Sequence, residues 1–534
     1  MLKQIDTVLD ILAQNASLRG NQPAVITQRE TLTFAELERN VHAFAHGLNN
    51  LGVQRGTAVG LLCTNRTEWI VSTLGTILAG GRVAAFNTWS KRWDLDHLLR
   101  SSHCEILIAL ADSEKISQLP LLEELVPEAW STSSPNWRSA AYPDLRDLIL
   151  IGGESQPAGT RRFDDVLATP GVSWTSSTSQ RDDVALVLFT SGSTAEPKAV
   201  PLIQGDALEH GRDVGDRMGI KGGDRIWLAV PLFWSYGGAN ALMVALTHGC
   251  TIVLQETFAA TEALAIIEEQ NCNVAYTLPN ITAMLLAHPE FSTERVSSLI
   301  KGMTIGSKAD VIAAGTGLQI EAICNAYGST EIYGCCTATP HDWPLERKSE
   351  CQGPPLPRIS ISVRDPLTSS PLPVGEVGEI CVSGQVMKGY FGQSKENSSS
   401  FNELGEYRTG DLGHVDEEGN LHFAARASEM IKSGGINIAP AEVEQFLRTH
   451  PGVKEAAVVG IEDPEKGQVA VAFVIADTAV SIDEGQLRDY CKEHIASYKI
   501  PVRIIVSAQP FPTTSTGKLS RRELGELAHN YWPR

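Results

Sequence analysis

Short runs of Val, Ile, Leu and Ala with no polar residue at every second position constrain this chain most. They include TAVGLLC at 57–63, CEILIALA at 104–111, DVALVLFT at 183–190, DRIWLAV at 224–230 and CTIVLQ at 250–255. A strand with one wet face alternates apolar and polar residues, whereas a strand without alternation is covered on both faces. Helical patterns separate these runs from about residue 20 to 260. The expectation is an α/β fold with a largely parallel, doubly wound sheet arrangement. The Ser-, Thr-, Pro- and Gly-rich stretch 129–180 reads as a connection between two such halves. From about 353 to 425, segments such as PLPVGEVGEICVSG predict short strands and few helices, hence a small β-rich unit. After Arg426 a mixed α+β pattern returns over roughly one hundred residues, enough for a small independent domain. The expected organisation is a large N-terminal domain, 1–427, followed by a small C-terminal domain, 428–534. The large domain divides into α/β subdomains at about 1–180 and 181–350 and a β-rich subdomain at 351–427.

Charge and cysteine usage exclude several function classes. Against 44 Lys and Arg stand 63 Asp and Glu, a net charge of −19 over 534 residues. Such a surface disfavours nucleic acid, whose phosphates need cations to neutralise them, and disfavours an anionic membrane. The ten cysteines form no CxxC pair and no zinc-like cluster with His, so they read as reduced, cytoplasmic thiols, with the adjacent Cys335 and Cys336 buried. The N-terminal MLKQIDTVLDILAQNASL carries Asp6 and Asp10 among its apolar residues and reads as an amphipathic helix, not a signal peptide. Gly237–Leu254 contains Asn240 and His248 and reads as a buried helix and strand rather than a membrane span. His42 and His46 lie four apart on a helix with no third ligand, and read as a structural pair.

Four local patterns carry possible chemistry. In VLFTSGSTAEPKAVPL, 187–202, an apolar run opens into Thr190, Ser191, Gly192, Ser193 and Thr194, with Lys198 four residues on. Backbone N–H groups and hydroxyls of such a loop suit phosphate oxygens, and Lys198 adds a point charge. The spacing is not the G-x-x-x-x-G-K-[ST] phosphate loop, so a polar turn is an equal reading. In YGSTE, 327–331, Tyr327, Thr330 and Glu331 put an aromatic ring, a hydroxyl and a carboxylate side by side, a set that suits a base and Mg2+ or a simple turn. In YRTGD, 407–411, Asp411 follows a Gly turn and suits the paired hydroxyls of a ribose. Lys518, in PTTSTGKLSR, sits on a Gly-containing segment where a lone lysine is ordinarily only solvated.

Taken in order, TSGSTAEPK, YGSTE, YRTGD, ARASEMIKSGGINIAPAEVE and PTTSTGK resemble the adenylate-forming superfamily over almost the whole chain, and KSGGINIAPAEVE resembles its acyl-CoA synthetase branch. The resemblance implies a ligase that uses ATP, Mg2+ and coenzyme A. It would convert a carboxylic acid to an acyl-AMP with release of pyrophosphate, then transfer the acyl group to the thiol. It also implies roles. Thr190, Ser191, Gly192, Ser193, Thr194 and Lys198 would cover the outer phosphates. Gly306 and Ser307 would border adenine and Tyr327 would lie against it. Thr330 would contact the α-phosphate, Glu331 would hold Mg2+, and Asp411 with Arg426 nearby would hold the ribose. Lys518 would bridge the acid and the α-phosphate, offsetting the repulsion of two anions; loss of such a group costs about 10²–10³ in rate. The C-terminal domain would be mobile, turning about Ser428 so that Lys432, Gly434 and Gly435 face the thiol. Phe233, Trp234 and Gly237 would line the acid pocket. The implied partner is a small-molecule acid, with the chain a monomer or homodimer.

The chain departs from the family pattern at Ala195 and Ala199, where glycines are usual, at Ala425, Ser428 and Thr513. A positive φ at Ala195 would cost roughly 1 kcal/mol. Two alternatives stand beside the leading reading. One is an adenylating ligase with another acceptor or acid, forming an amide or activating a small acid such as nitrite. The other is a nucleotide- and acyl-binding relative without catalysis.

Overall fold

The computed structural model describes residues 7–111, 117–153, 156–168, 179–190, 197–366, 368–426, 431–438, 440–477, 482–507, 509–512 and 519–532. Two large sheets dominate. In the first, seven strands run in the order Arg161–Arg162, Asp147–Ile151, Ile106–Leu110, Ala58–Leu62, Arg82–Ala85, Val184–Thr190 and Lys198–Ile203. In the second, eight run Thr337–Ala338, Ala322–Tyr327, Lys301–Thr304, Val274–Tyr276, Arg225–Leu228, Thr251–Leu254, Pro23–Ile26 and Thr31–Thr33. Parallel pairing joins the inner strands of both. Every residue of Ala58–Leu62 and Ile106–Leu110 is buried, as the unbroken apolar runs require of strands covered on both faces.

Two features differ from the sequence expectation. Asp147–Ile151 is a fully buried strand inside the stretch read as a connection, because the apolar run DLILI outweighs its Ser- and Pro-rich surroundings. Pro23–Ile26 pairs parallel with Thr251–Leu254, so the second sheet recruits a hairpin from near the N-terminus. Beside that hairpin, Thr33 caps the helix Phe34–Asn50 and Glu36 completes the capping box, satisfying exposed helix N–H groups at both positions. Leu37, Val41, Phe44, Ala45 and Leu48 then fall on one buried face. The span Gly237–Leu254 contains the helix Leu242–His248 and the buried strand Thr251–Leu254, and no helix among the described residues is long and apolar enough to cross a membrane.

An antiparallel four-stranded sheet follows, from Ile359–Arg364 through Gly378–Gly384 and Tyr407–Val415 to Leu421–Arg426. The chain divides into two compact units, one of residues 1–88, 99–188 and 199–425, the other of 89–98, 189–198 and 426–534. The second unit has a five-stranded sheet whose long strands, Val453–Asp463 and Gly467–Ala476, carry a core on each face. Ala456 and Val458 point to Phe446, Leu487 and Ile495, while Ala457, Val459 and Ile461 point to Leu524 and Ala528. That is the two-residue alternation of a strand between two helical layers.

All ten cysteines are buried and unpaired, and burial pushes Cys104, Cys324 and Cys335 up to about 12. Native protein at about pH 8 should therefore show almost no reaction with a thiol-reactive chromophore over minutes, and ten reactive thiols once unfolded. Rapid native labelling would contradict this packing.

Candidate functional site

In the first unit the strand Ala322–Tyr327 lies next to the edge strand Thr337–Ala338 of the eight-stranded sheet and turns sharply into the short 3-10 helix Thr330–Ile332. The turn needs Gly328, since a Cβ there would lie 2.2 Å from the Cα of Cys335. It delivers Tyr327, Thr330 and Glu331 to one wall. The Tyr327 hydroxyl donates to Asp411 Oδ2 at 2.8 Å, and its ring stacks on Phe423 with centroids 5.7 Å apart. Burial, and then the Asp411 charge, push the Tyr327 hydroxyl well above the usual phenol range, so it stays a donor. Asp411 is only 5% exposed. Its amide donates to Thr409 Oγ1 at 3.1 Å, and the Thr409 hydroxyl is in turn tied to the Ile380 carbonyl of the next strand.

Glu331, 7% exposed, is held in the same manner. Tyr390 donates to its Oε1 at 2.9 Å, and the Met387 amide donates to its carbonyl at 2.8 Å. Oε2 makes no hydrogen bond among the described residues. Hard divalent cations prefer such oxygens, so the carboxylate fits a Mg2+ ligand. The Thr330 hydroxyl donates to Ser235 Oγ at 3.1 Å. Ser235 opens the π-helical turn Ser235–Ala241, which directly follows Phe233 and Trp234. Phe233 is buried and Trp234 half-buried, their rings edge-on at 6.1 Å. Gly237 is a close-packing residue: a Cβ there would meet the Pro231 carbonyl oxygen at 2.2 Å. Gly306 has φ +146 and Ser307 caps the helix Lys308–Ile312 through a box with Asp310; both are exposed.

The structure thus gathers Tyr327, Asp411, Thr330, Glu331 and Phe233–Gly237, and adds partners that the sequence reading did not single out: Tyr390, Phe423, Thr409 and Ser235. Tyr390 and Phe423 stand in MKGYFG and LHFAAR, where an aromatic with one small neighbour, Gly389 or Ala424, was the only local signal. Ala199 lies within an extended strand and its carbonyl accepts from the Phe391 amide at 2.9 Å, so no positive φ is demanded where a glycine is usual.

The second unit carries the other candidates. Thr190 ends one strand and Lys198 begins the next, both half-buried, while Ser191, Gly192, Ser193, Thr194 and Ala195 between them lie outside the described residues. Lys432 is exposed on Ile431–Ser433, and Gly434 and Gly435 make the two-residue turn to Ile436–Ile438 with φ of +57 and +80. A two-residue hairpin turn of this type needs positive φ at both positions, the reason for the paired glycines. Arg426 closes the strand Leu421–Arg426; its side chain, with Ser428, Thr513 and Lys518, lies outside the described residues. His42 and His46 lie on the helix Phe34–Asn50, and no group of three or more metal-binding side chains occurs among the described residues.

Comparison with known proteins places the chain in a family. Residues 12–391 match the family of AMP-binding enzymes, and residues 442–518 match the AMP-binding enzyme C-terminal domain. The 2-succinylbenzoate–CoA ligase of Bacillus licheniformis is 30% identical, covering 96% of this chain and 98% of its own. A putative acyl-CoA synthetase of Bacillus subtilis, YngI, is 28% identical over 97% of this chain and 96% of its own. Among solved structures, the o-succinylbenzoate CoA synthetase of Bacillus subtilis bound to a product analogue superposes with a TM-score of 0.81 at 27% identity, over 97% of this chain and 98% of that one. The chain belongs to the AMP-binding enzyme family, the adenylate-forming ligases.

Proposed function

We propose that this chain activates a carboxylic acid as its acyl-AMP and passes the acyl group to coenzyme A. The buried wall in which Tyr327 holds Asp411 and Tyr390 holds Glu331 carries the reading, because it fixes two ionisable oxygens where a nucleotide of this family would meet them. In the first step an acid oxygen bonds to the α-phosphorus of ATP and the bond to the departing pyrophosphate oxygen breaks. In the second the thiol sulfur bonds to the acyl carbon, AMP leaves with its oxygen, and the thiol proton is lost.

Each group has a task in that scheme. Asp411 accepts the ribose hydroxyls with Arg426 beside them, Tyr327 lies on adenine, and Gly306 and Ser307 border it. Thr190, Ser191, Gly192, Ser193, Thr194 and Lys198 cover the outer phosphates, and Thr330 holds the α-phosphate. Glu331 would hold Mg2+, which supplies positive charge to the phosphates. Lys518 neutralises acid and phosphate as they meet. Phe233, Trp234 and Gly237 shape the acid site. Lys432, Gly434 and Gly435 receive the thiol after residues 428–534 rotate about Ser428 relative to the large domain 1–427, which withdraws Lys518. Names of the relatives support coenzyme A as acceptor. Ten buried, unpaired thiols support a reducing compartment such as the cytoplasm, with the chain a monomer or homodimer.

The test is acid-dependent exchange of labelled pyrophosphate into ATP over a panel of carboxylic acids and nitrite, then product identification with coenzyme A and with amines. Exchange with a carboxylic acid and a thioester product is expected. No exchange with any acid, or only amide products, would contradict the proposal. In the same assay Asp411→Ala should raise the ATP concentration for half-maximal exchange about ten- to a hundredfold, the range for a lost hydrogen bond to a charged group. Unchanged ATP dependence would remove Asp411 from the ribose.

A further inference from the structure

Within the second unit, three charged side chains meet where water is excluded. Lys499 Nζ lies 2.8 Å from Asp94 Oδ1 and 2.6 Å from Glu442 Oε1. Lys499 is 6% exposed, Asp94 3% and Glu442 2%. Asp94 has further duties: its Oδ2 accepts the amides of Lys91 and Ala496, each at 3.0 Å. Rings flank the cluster. Trp93 meets Phe446 edge-on at 5.7 Å, and Trp89 meets Tyr498 edge-on at 5.9 Å. The cluster therefore ties residues 89–98 to two separate stretches of the C-terminal residues, the helix Pro440–Leu447 and the turn 496–499. In sequence, residues 89–98 are flanked on both sides by residues of the first unit, whereas 426–534 follow it by one connection.

Such a tie is a poor way to gain stability. Removing three charges from water costs several kcal/mol per ion, and replacing a buried ion pair with apolar side chains is often neutral or stabilising. It has another property. Assembled in register, both carboxylates share the Lys499 ammonium and two backbone amides meet the remaining negative charge on Asp94; partly assembled, an unpaired buried charge costs about 3–5 kcal/mol; fully parted, every charge is rehydrated. Closed and open are thus both tolerable and the intermediate states are not. Two tryptophan contacts alone would hold the segment with no such threshold.

We propose that Lys499, Asp94 and Glu442 form an all-or-none charged clasp that fastens residues 89–98 to the C-terminal residues during one half-reaction and releases them for the other. The clasp rests on the two-step reading above. Lys499 acts in it as a positioning residue, touching neither substrate nor reacting atoms.

The test measures the two half-reactions separately in full-length protein: acid-dependent pyrophosphate exchange, and transfer from supplied acyl-AMP to coenzyme A in a single turnover. Asp94→Asn should change the ratio of the two rates at least tenfold, and Asp94→Glu should recover part of that change. The triple variant Asp94→Asn, Glu442→Gln, Lys499→Met leaves no charge in the cluster, folds without buried ions, and should shift the ratio in the same direction. A folded variant in which both rates fall by one common factor, or neither changes, would overturn the clasp while leaving the ligase reading intact. Wild-type protein without either half-reaction would overturn that reading and the clasp with it.

Discussion

A single hydrogen bond, from Tyr327 to Asp411, ties the end of a parallel strand to the middle of an antiparallel one, and the rest of the candidate site is arranged around it. The two residues are separated by 84 positions in the chain. A carboxylate that is to accept a ligand's hydroxyls must be fixed in one rotamer and kept as an acceptor. A buried phenol is suited to both tasks, since burial holds its proton in place and its ring packs as an apolar group. The same device recurs at Tyr390 and Glu331. Burial, with the Glu331 charge behind it, raises the Tyr390 hydroxyl too. Two phenols thus present two carboxylates from a wall that backbone alone would leave loosely defined.

Local patterns showed much of this fold. Unbroken apolar runs became doubly covered strands because burial on both faces is a local property of composition. The Thr33–Glu36 box sits where sequence chemistry would place it. Strand order was not legible: the pairing of Pro23–Ile26 with Thr251–Leu254 joins segments with no common local signal. Asp147–Ile151 was hidden by its neighbours' composition. At the site, motif residues were named from a family likeness, but Tyr390, Phe423 and Ser235 enter by contact with residues 59 to 96 positions away, which no short window contains. Ala199 teaches the opposite lesson, since its departure from the usual glycine falls in extended backbone that demands no positive φ.

Buried carboxylates are held in two ways, by neutral donors and by cations. At the candidate site neutral phenols hold Asp411 and Glu331, whereas elsewhere in the first unit buried carboxylates pair with cations, Asp213 with Arg358 and Glu379 with Arg408. In the second unit buried charge meets buried charge at Lys499, and the buried Glu444 pairs with Arg521. The first pattern suits recognition and the second suits a contact that is either made or absent.

The central claim is that one lysine neutralises two reacting anions in the first step and has no part in the second. Lys518→Ala, assayed for both half-reactions, tests it most directly. The account predicts that acyl-AMP formation falls by about 10²–10³ while transfer from supplied acyl-AMP to coenzyme A stays within a few-fold of wild type. Equal loss of both steps, or undiminished acyl-AMP formation, would contradict it.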